Sequence, residues 1–187
     1  KSEISIDTST VVSFFEYKYA SNSLSGLKNY FYIENFTLHD LNNMKSALKQ
    51  GENIILDCRN YPTNATINKA TELIKNTEKK TVLYTFRNPK RRDVGNNKLQ
   101  EIKNSKQNYN SNKITILVNK STQSWAEFIV LDLSLNPNIE IIGNYSSNAI
   151  GQCSDILPLP GNINFFTTTV IGVPNTTKYD PEKGIVP

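Results

Sequence analysis

Two periodicities alternate along this chain, and the switches between them mark its elements. YFYIENF, residues 30–36, is dense in aromatic and β-branched side chains and predicts a strand. In LHDLNNMKSALKQG, Leu41, Met44 and Leu48 recur at helical spacing, behind Asp40 as a candidate cap and ahead of Gly51 as a stop. ENIILDC, 52–58, is a short continuous apolar run of the kind buried in parallel sheets. After Pro62 a second helix is predicted from about Asn64, with Ile67, Ala70 and Ile74 on one face. TVLYTF, 81–86, and KITILVN, 113–119, read as strands. SWAEFIVLDLSL reads as a helix ended by Asn136-Pro137, and IEIIG, 139–143, as a further strand. NYSSNAIGQCSD then reads as a loop, LPLPG as turns and INFFTTTVIGV as a long strand.

Two stretches fit this rhythm less well. The first 28 residues hold a mixed run, VVSFFEYKYA, and a small-residue linker, SNSLSG, read as one or two leading strands and a connection. Residues 87–112 are polar, with Leu99 and Ile102 suggesting a short helix inside a long surface loop. Strands alternating with helices predict an α/β domain of mainly parallel strands with right-handed helical crossovers. At 187 residues the chain is expected to form one domain over 1–187.

Composition narrows the partners. A hydrophobic fraction of 37% and a mean hydropathy of -0.45 describe a wet-surfaced globular protein. No apolar run approaches the roughly 20 residues that cross a bilayer. The opening KSEISIDTST shows no signal-peptide pattern and reads as a processed or trimmed start. A net charge of +4 is too weak to imply nucleic acid, and the one dense basic patch, Arg87 to Asp93, reads as a solvated turn around Pro89. Cys58 and Cys153 lack metal-ligand spacing and would pair only if the fold brought them together. With a single histidine, His39, no metal or cofactor is expected. Abundant Asn with Lys and Ile resembles the bias of an AT-rich bacterial genome, which makes the sequons at Asn35 and Asn175 chance products.

In a parallel α/β sheet, functional groups gather at the carboxyl ends of strands. The loops in question are Arg59 to Asn64, Ser121 to Trp125, and Asn144 to Cys153. In NKSTQSWAEF, Ser124 stands three residues before Glu127, which spells a capping box. The same serine sits at a strand-to-helix turn, where acyl-transfer enzymes expose a nucleophile beside free backbone amides. His39 reads as a surface or capping residue, and Trp125, the sole tryptophan, as a core residue.

YFYIENFT, IILDCRNYPTN, KITILVNKSTQSWAEF, NPNIEIIGNYSSNAIG and LPLPGNINFFTTTVIGVP…GIVP follow one another at spacings that resemble the catalytic core of the tail-specific, or C-terminal-processing, serine peptidases, with tricorn-core relatives. The resemblance covers about Tyr30 to Pro187 and implies a Clp protease/crotonase-like fold. It places Ser124 on the nucleophile, with the backbone amides of Asn64 and Trp125 as oxyanion donors. It implies a lysine as general base, acting on a peptide or protein substrate outside the cytoplasm of a bacterium.

The match departs from the family pattern at the base. The position expected to hold the lysine is Ala149, and no lysine lies between Lys120 and Lys178. Paired glycines of the oxyanion hole correspond to Thr63 and Asn64, the latter being a residue that tolerates left-handed backbone. The asparagine before the proline corresponds to Tyr61, and the histidine used by the tricorn-like branch to Tyr32. Two readings follow: a serine peptidase with an unorthodox base, or a peptidase-like domain that binds peptides without turnover.

Overall fold

The structure, a computed structural model, describes residues 26–74, 82–87, 98–101, 112–161, 163–174 and 176–187. Strand β1, Tyr30–Tyr32, is followed by helix α1, Leu38–Lys49, strand β2, Ile54–Asp57, and helix α2, Thr66–Ile74. Strands β3, Val82–Arg87, β4, Lys98–Glu101, and β5, Ile114–Val118, precede helix α3, Trp125–Leu133. Strands β6, Ile139–Gly143, β7, Gly151–Leu159, β8, Ile163–Pro174, β9, Tyr179–Asp180, and β10, Gly184–Ile185, complete the chain.

One four-stranded sheet has the order β1-β2-β5-β6, and every pairing in it is parallel. This is the α/β core that the alternating pattern predicts. In β5 the alternation is literal: Ile114, Ile116 and Val118 are buried, while Thr115 and Leu117 are half-buried. Leu41, Met44 and Leu48 of α1, Ile67, Ala70 and Ile74 of α2, and Ile129, Val130 and Leu133 of α3 all join the buried core. Helix α1 packs on α2, and α2 on α3.

Buried asparagines fasten the ends of these elements. Asn112 Nδ2 donates to the carbonyls of Leu48 and Glu52, at 3.2 and 2.8 Å. Asn136 Nδ2 donates to the carbonyl of Ile74 at 2.9 Å, joining the last turn of α2 to the residues after α3. The bonds to Leu48 and Ile74 reach carbonyls in the last turns of α1 and α2, where intrahelical partners run out, and the bond to Glu52 fixes the connection that follows α1.

Several boundaries differ from the sequence reading. Thr37, not Asp40, caps α1: its hydroxyl accepts from the Asp40 amide at 3.2 Å, and the Asp40 carboxylate accepts from the Thr37 amide at 2.8 Å. Asp40 is thus the reciprocal partner in a capping box. Lys98–Glu101 is a strand paired antiparallel with β3, not a short helix. Two apolar residues three apart are too few to nucleate a helix, whereas β3 offers a ladder of backbone partners. Gly151–Leu159, read as loop and turns, is an edge strand of a second, antiparallel sheet ordered β4-β3-β8-β7. Pro158 pairs there with Asn164 near the hairpin end, where an edge strand tolerates a missing N–H. The leading strands expected before residue 26, residues 88–93 of the basic turn and the stretch 102–111 lie outside the described residues, so the single-domain reading over 1–187 is an expectation.

At the carboxyl end of the parallel sheet, Gly143 pairs with Val118 at φ +134. A Cβ there would lie 2.0 Å from the Val118 carbonyl oxygen. Gly143→Ala is therefore expected to destabilise the protein by about 1–3 kcal/mol or more, read by urea denaturation. An unchanged midpoint would show that the two strand ends are not locked together.

Candidate active site

The loops after β2, β5 and β6 come from adjacent strands and meet at one end of the sheet. Thr122, fully buried, ties all three together. Its hydroxyl donates to the carbonyl of Cys58 at 2.8 Å and accepts from the Asn119 amide at 3.0 Å, and its carbonyl accepts from the Ser147 amide at 3.0 Å. A buried hydroxyl with donor and acceptor both satisfied stabilises such a junction.

Ser124 begins α3 at φ 48 and ψ −110. An ordinary N-cap adopts the extended region, so capping alone does not call for this backbone. A non-glycine residue held there costs on the order of 1–3 kcal/mol and persists because its surroundings impose it. Its hydroxyl donates to the carbonyl of Gly151, the first residue of β7, at 3.3 Å.

The surroundings that impose it centre on Glu127, which is 0% exposed. Its carboxylate accepts from the Ser124 amide at 2.9 Å, as the capping pattern predicts. It also accepts from the Asn148 and Ala149 amides, each at 2.9 Å, and from the Ser146 and Ser147 hydroxyls at 2.5 and 3.4 Å. Ser146 in turn accepts from the Ile185 amide at 2.8 Å, so strand β10 is joined to the serine turn through two buried side chains. Asn148, itself left-handed at φ 62, donates to the carbonyl of Pro181 at 2.9 Å and accepts from the Tyr179 hydroxyl. Burial, with the negative charges of Glu127 and Asp180, raises the Tyr179 phenol and keeps it a donor.

Sequence reading took Glu127 for a cap and overlooked Ser146 and Ile185. The available signal was one acid set among Ala126, Phe128, Ile129 and Val130, since a buried carboxylate needs donors from elsewhere in the chain.

On the other side, Asp57 closes β2. Its carboxylate accepts from the Arg59 amide, Nε and Nη2 at 3.0, 2.9 and 2.7 Å, and from the Tyr30 hydroxyl at 2.5 Å. The hydrogen bond and charge of Asp57 push Arg59 above its ordinary value, so this cation is committed to the turn. Beyond it, Thr63 spends its amide on the Glu34 carbonyl at 3.2 Å. Asn64 Nδ2 donates to the Phe36 carbonyl and its Oδ1 accepts from the Thr66 amide, both at 2.9 Å. Asn64 does not use the left-handed backbone that asparagine tolerates: the non-glycine residues at positive φ among the described residues are Asn29, Ser124 and Asn148. Its side chain instead serves as an anchor and a helix cap. The amides of Asn64 and Trp125 have no acceptor among the described residues. The Tyr61 and Trp125 rings, 6.2 Å apart, bring the two segments together.

Among the described residues, the groups weighed as a base are found in other settings. Ala149 is exposed and contributes its amide to Glu127. Lys120 Nζ donates to the Ser146 carbonyl at 2.8 Å. His39 is exposed on the first turn of α1. Burial, then a hydrogen bond with Glu34, pushes the Tyr32 phenol up to about 12, which leaves it protonated near neutral pH. Cys58 is a buried free thiol, raised by burial and by Asp57, and so is inert as a nucleophile. Among the described residues no cluster of His, Cys, Asp or Glu has the form of a metal site.

Two substitutions separate scaffold from chemistry. Glu127→Gln puts an amide donor against a ring of donors and is expected to cost about 2–3 kcal/mol by urea denaturation. Ser124→Gly removes the hydroxyl yet relieves the backbone, so stability should hold or rise by up to about 1 kcal/mol. A large loss on Ser124→Gly would return this serine to a purely structural role.

Comparison with known proteins agrees with this fold. Residues 29–187 match the model of Peptidase family S41. No curated protein matches the chain. Among solved structures it is similar to a lipoprotein from Streptococcus agalactiae, at 20% identity and TM-score 0.52, over 80% of this chain and 54% of that one. It is also similar to a photosystem II D1 C-terminal processing protease, at 15% identity and TM-score 0.50, over 77% of this chain and 34% of that one. These likenesses are of fold, and the chain spans about half or less of each relative's length. Through the family match over most of its length, the chain belongs to peptidase family S41.

Proposed function

We propose that this is a serine-type peptidase domain that cleaves extended peptides or the C-terminal segments of proteins. Ser124 is the nucleophile, and the amides of Asn64 and Trp125 stabilise the oxyanion. The observation that carries the reading is the Ser124 backbone: a strained strand-to-helix turn, imposed by a buried carboxylate, that capping does not require. In the reaction the serine oxygen adds to the scissile carbonyl, its proton leaves to a base, and the charge on the carbonyl oxygen falls to backbone N–H groups.

A second reading is favoured by Ala149. Without a lysine there, the Ser124 hydroxyl is oriented by a carbonyl, which takes no proton. Loss of a positioned base typically lowers the rate about 100-fold to 10,000-fold, which would leave a domain that binds peptides and turns them over slowly or not at all. Under either reading the partner is a peptide or protein, not nucleic acid. Among the described residues no helix is long and apolar enough to cross a membrane. We assign the domain to the outside of the cytoplasm in a bacterium, an assignment supported by the likeness to a lipoprotein.

A fluorophosphonate probe decides between the readings. Labelling at Ser124 is expected, faster as pH rises because no lysine at 149 sets a plateau near neutrality, and abolished in Ser124→Ala. Absence of labelling across the pH range, with peptide binding retained, establishes the binding domain instead.

A further inference from the structure

Tyr61 is rigidly held and yet left open to solvent. On its N-terminal side Asn60 Nδ2 donates to the Tyr32 hydroxyl and the Glu34 carboxylate, both at 2.9 Å, while Asn60 Oδ1 accepts from the Tyr61 amide at 2.9 Å. On its C-terminal side Pro62 is buried, and Thr63 and Asn64 are fastened to the carbonyls of Glu34 and Phe36. The ring between these anchors is 39% exposed. It meets Trp125 at 6.2 Å and 69°, the edge-to-face geometry that aromatic pairs prefer. Trp125 directly follows Ser124 in the chain and packs against the core, so the pair is an aromatic wall built on the residue next to the serine. Where the resemblance places an asparagine, this chain carries an aromatic ring that joins two segments and still presents a face to solvent.

Charged residues of the flanking segments make hydrogen bonds within the protein. Arg59 is bound to Asp57, Lys120 to the Ser146 carbonyl, Glu34 accepts from Asn60, and Glu127 is enclosed by its own donors. A large apolar peptide side chain laid here would gain two ring surfaces, a contact that a charged one could make only by giving up water.

We propose that Tyr61 and Trp125 form a subsite for a large apolar side chain, aromatic or branched aliphatic, on the peptide residue flanking the bond presented to Ser124. The proposal rests on the peptide-directed reading of the site and adds its side-chain preference. Trp125 contributes the packed rear of the subsite and Tyr61 its open side, so Tyr61 sets the preference.

Calorimetric titration of the Ser124→Ala chain with acetyl-Ala-Ala-X-Ala-Ala amides, X being Phe, Leu, Lys or Asp, tests it. The alanine host lets each peptide slide until X meets the pair. Phe and Leu peptides are expected to bind at least about tenfold tighter than the Lys and Asp peptides. Adding Tyr61→Ala should bring all four together, while Tyr61→Phe keeps the order. Equal binding, a Lys or Asp preference, or a Phe preference that survives Tyr61→Ala overturns the subsite. These outcomes are independent of probe labelling at Ser124: labelling without apolar preference sinks the subsite alone, and preference without labelling sinks turnover alone.

Discussion

A carboxylate with no access to water is the constraint on which the rest of this site depends. Taking an ion such as Glu127 out of water costs several kcal/mol unless donors replace the solvent, and here they are drawn from the serine turn and the loop after β6. Neither segment can leave without orphaning a buried charge. The C-terminal hairpin is held by the same arrangement, since the Ile185 amide donates to the hydroxyl that Ser146 turns toward Glu127. Gly184 shows how close that approach is: at φ +93, a Cβ on it would meet Ser146 Oγ at 2.3 Å. The strained backbone of Ser124 is thus sustained by residues far from it in sequence.

Asp57 plays the corresponding part at the end of β2, and Thr122 joins the two halves. The result is a rigid floor made of loops, which is unusual because loops generally lack enough internal partners to be stiff. Asparagine supplies much of the difference. Asn60, Asn64, Asn119, Asn136 and Asn148 each use their side-chain amides to bind backbone or to hold a turn. What composition alone presents as a genomic bias is, at these positions, part of the structure.

The parallel sheet and its helices were legible because β5 buries alternate residues, β2 is a short apolar run, and α1 and α2 each bury one stripe; ITILV and the Leu41, Met44, Leu48 series are read directly. Meeting of the three loops was legible too, as a property of adjacent carboxyl ends. Gly151–Leu159 was not, because Pro158, with Pro160 just beyond it, signals a turn and only a partner such as β8 reveals an edge strand. Glu127 was half-legible: its capping bond is local, while its other donors arrive from a loop whose course no local pattern encodes. The side-chain bonds of Asn64 to the Phe36 carbonyl and the Thr66 amide were not legible, since no local pattern names those partners.

Family membership and the departure at Ala149 are reconciled by this design. With Glu127 satisfied by backbone amides, the loop after β6 keeps its place with alanine at 149, and the Ser124 turn is held without a lysine there. Amide hydrogen exchange tests that claim most directly. Asn148 and Ala149 lie outside any helix or strand, yet their amides are predicted to exchange as slowly as those of β5, together with Ser124 and Ile185. Fast exchange at Asn148 and Ala149, at the rate of an open loop, would contradict the account.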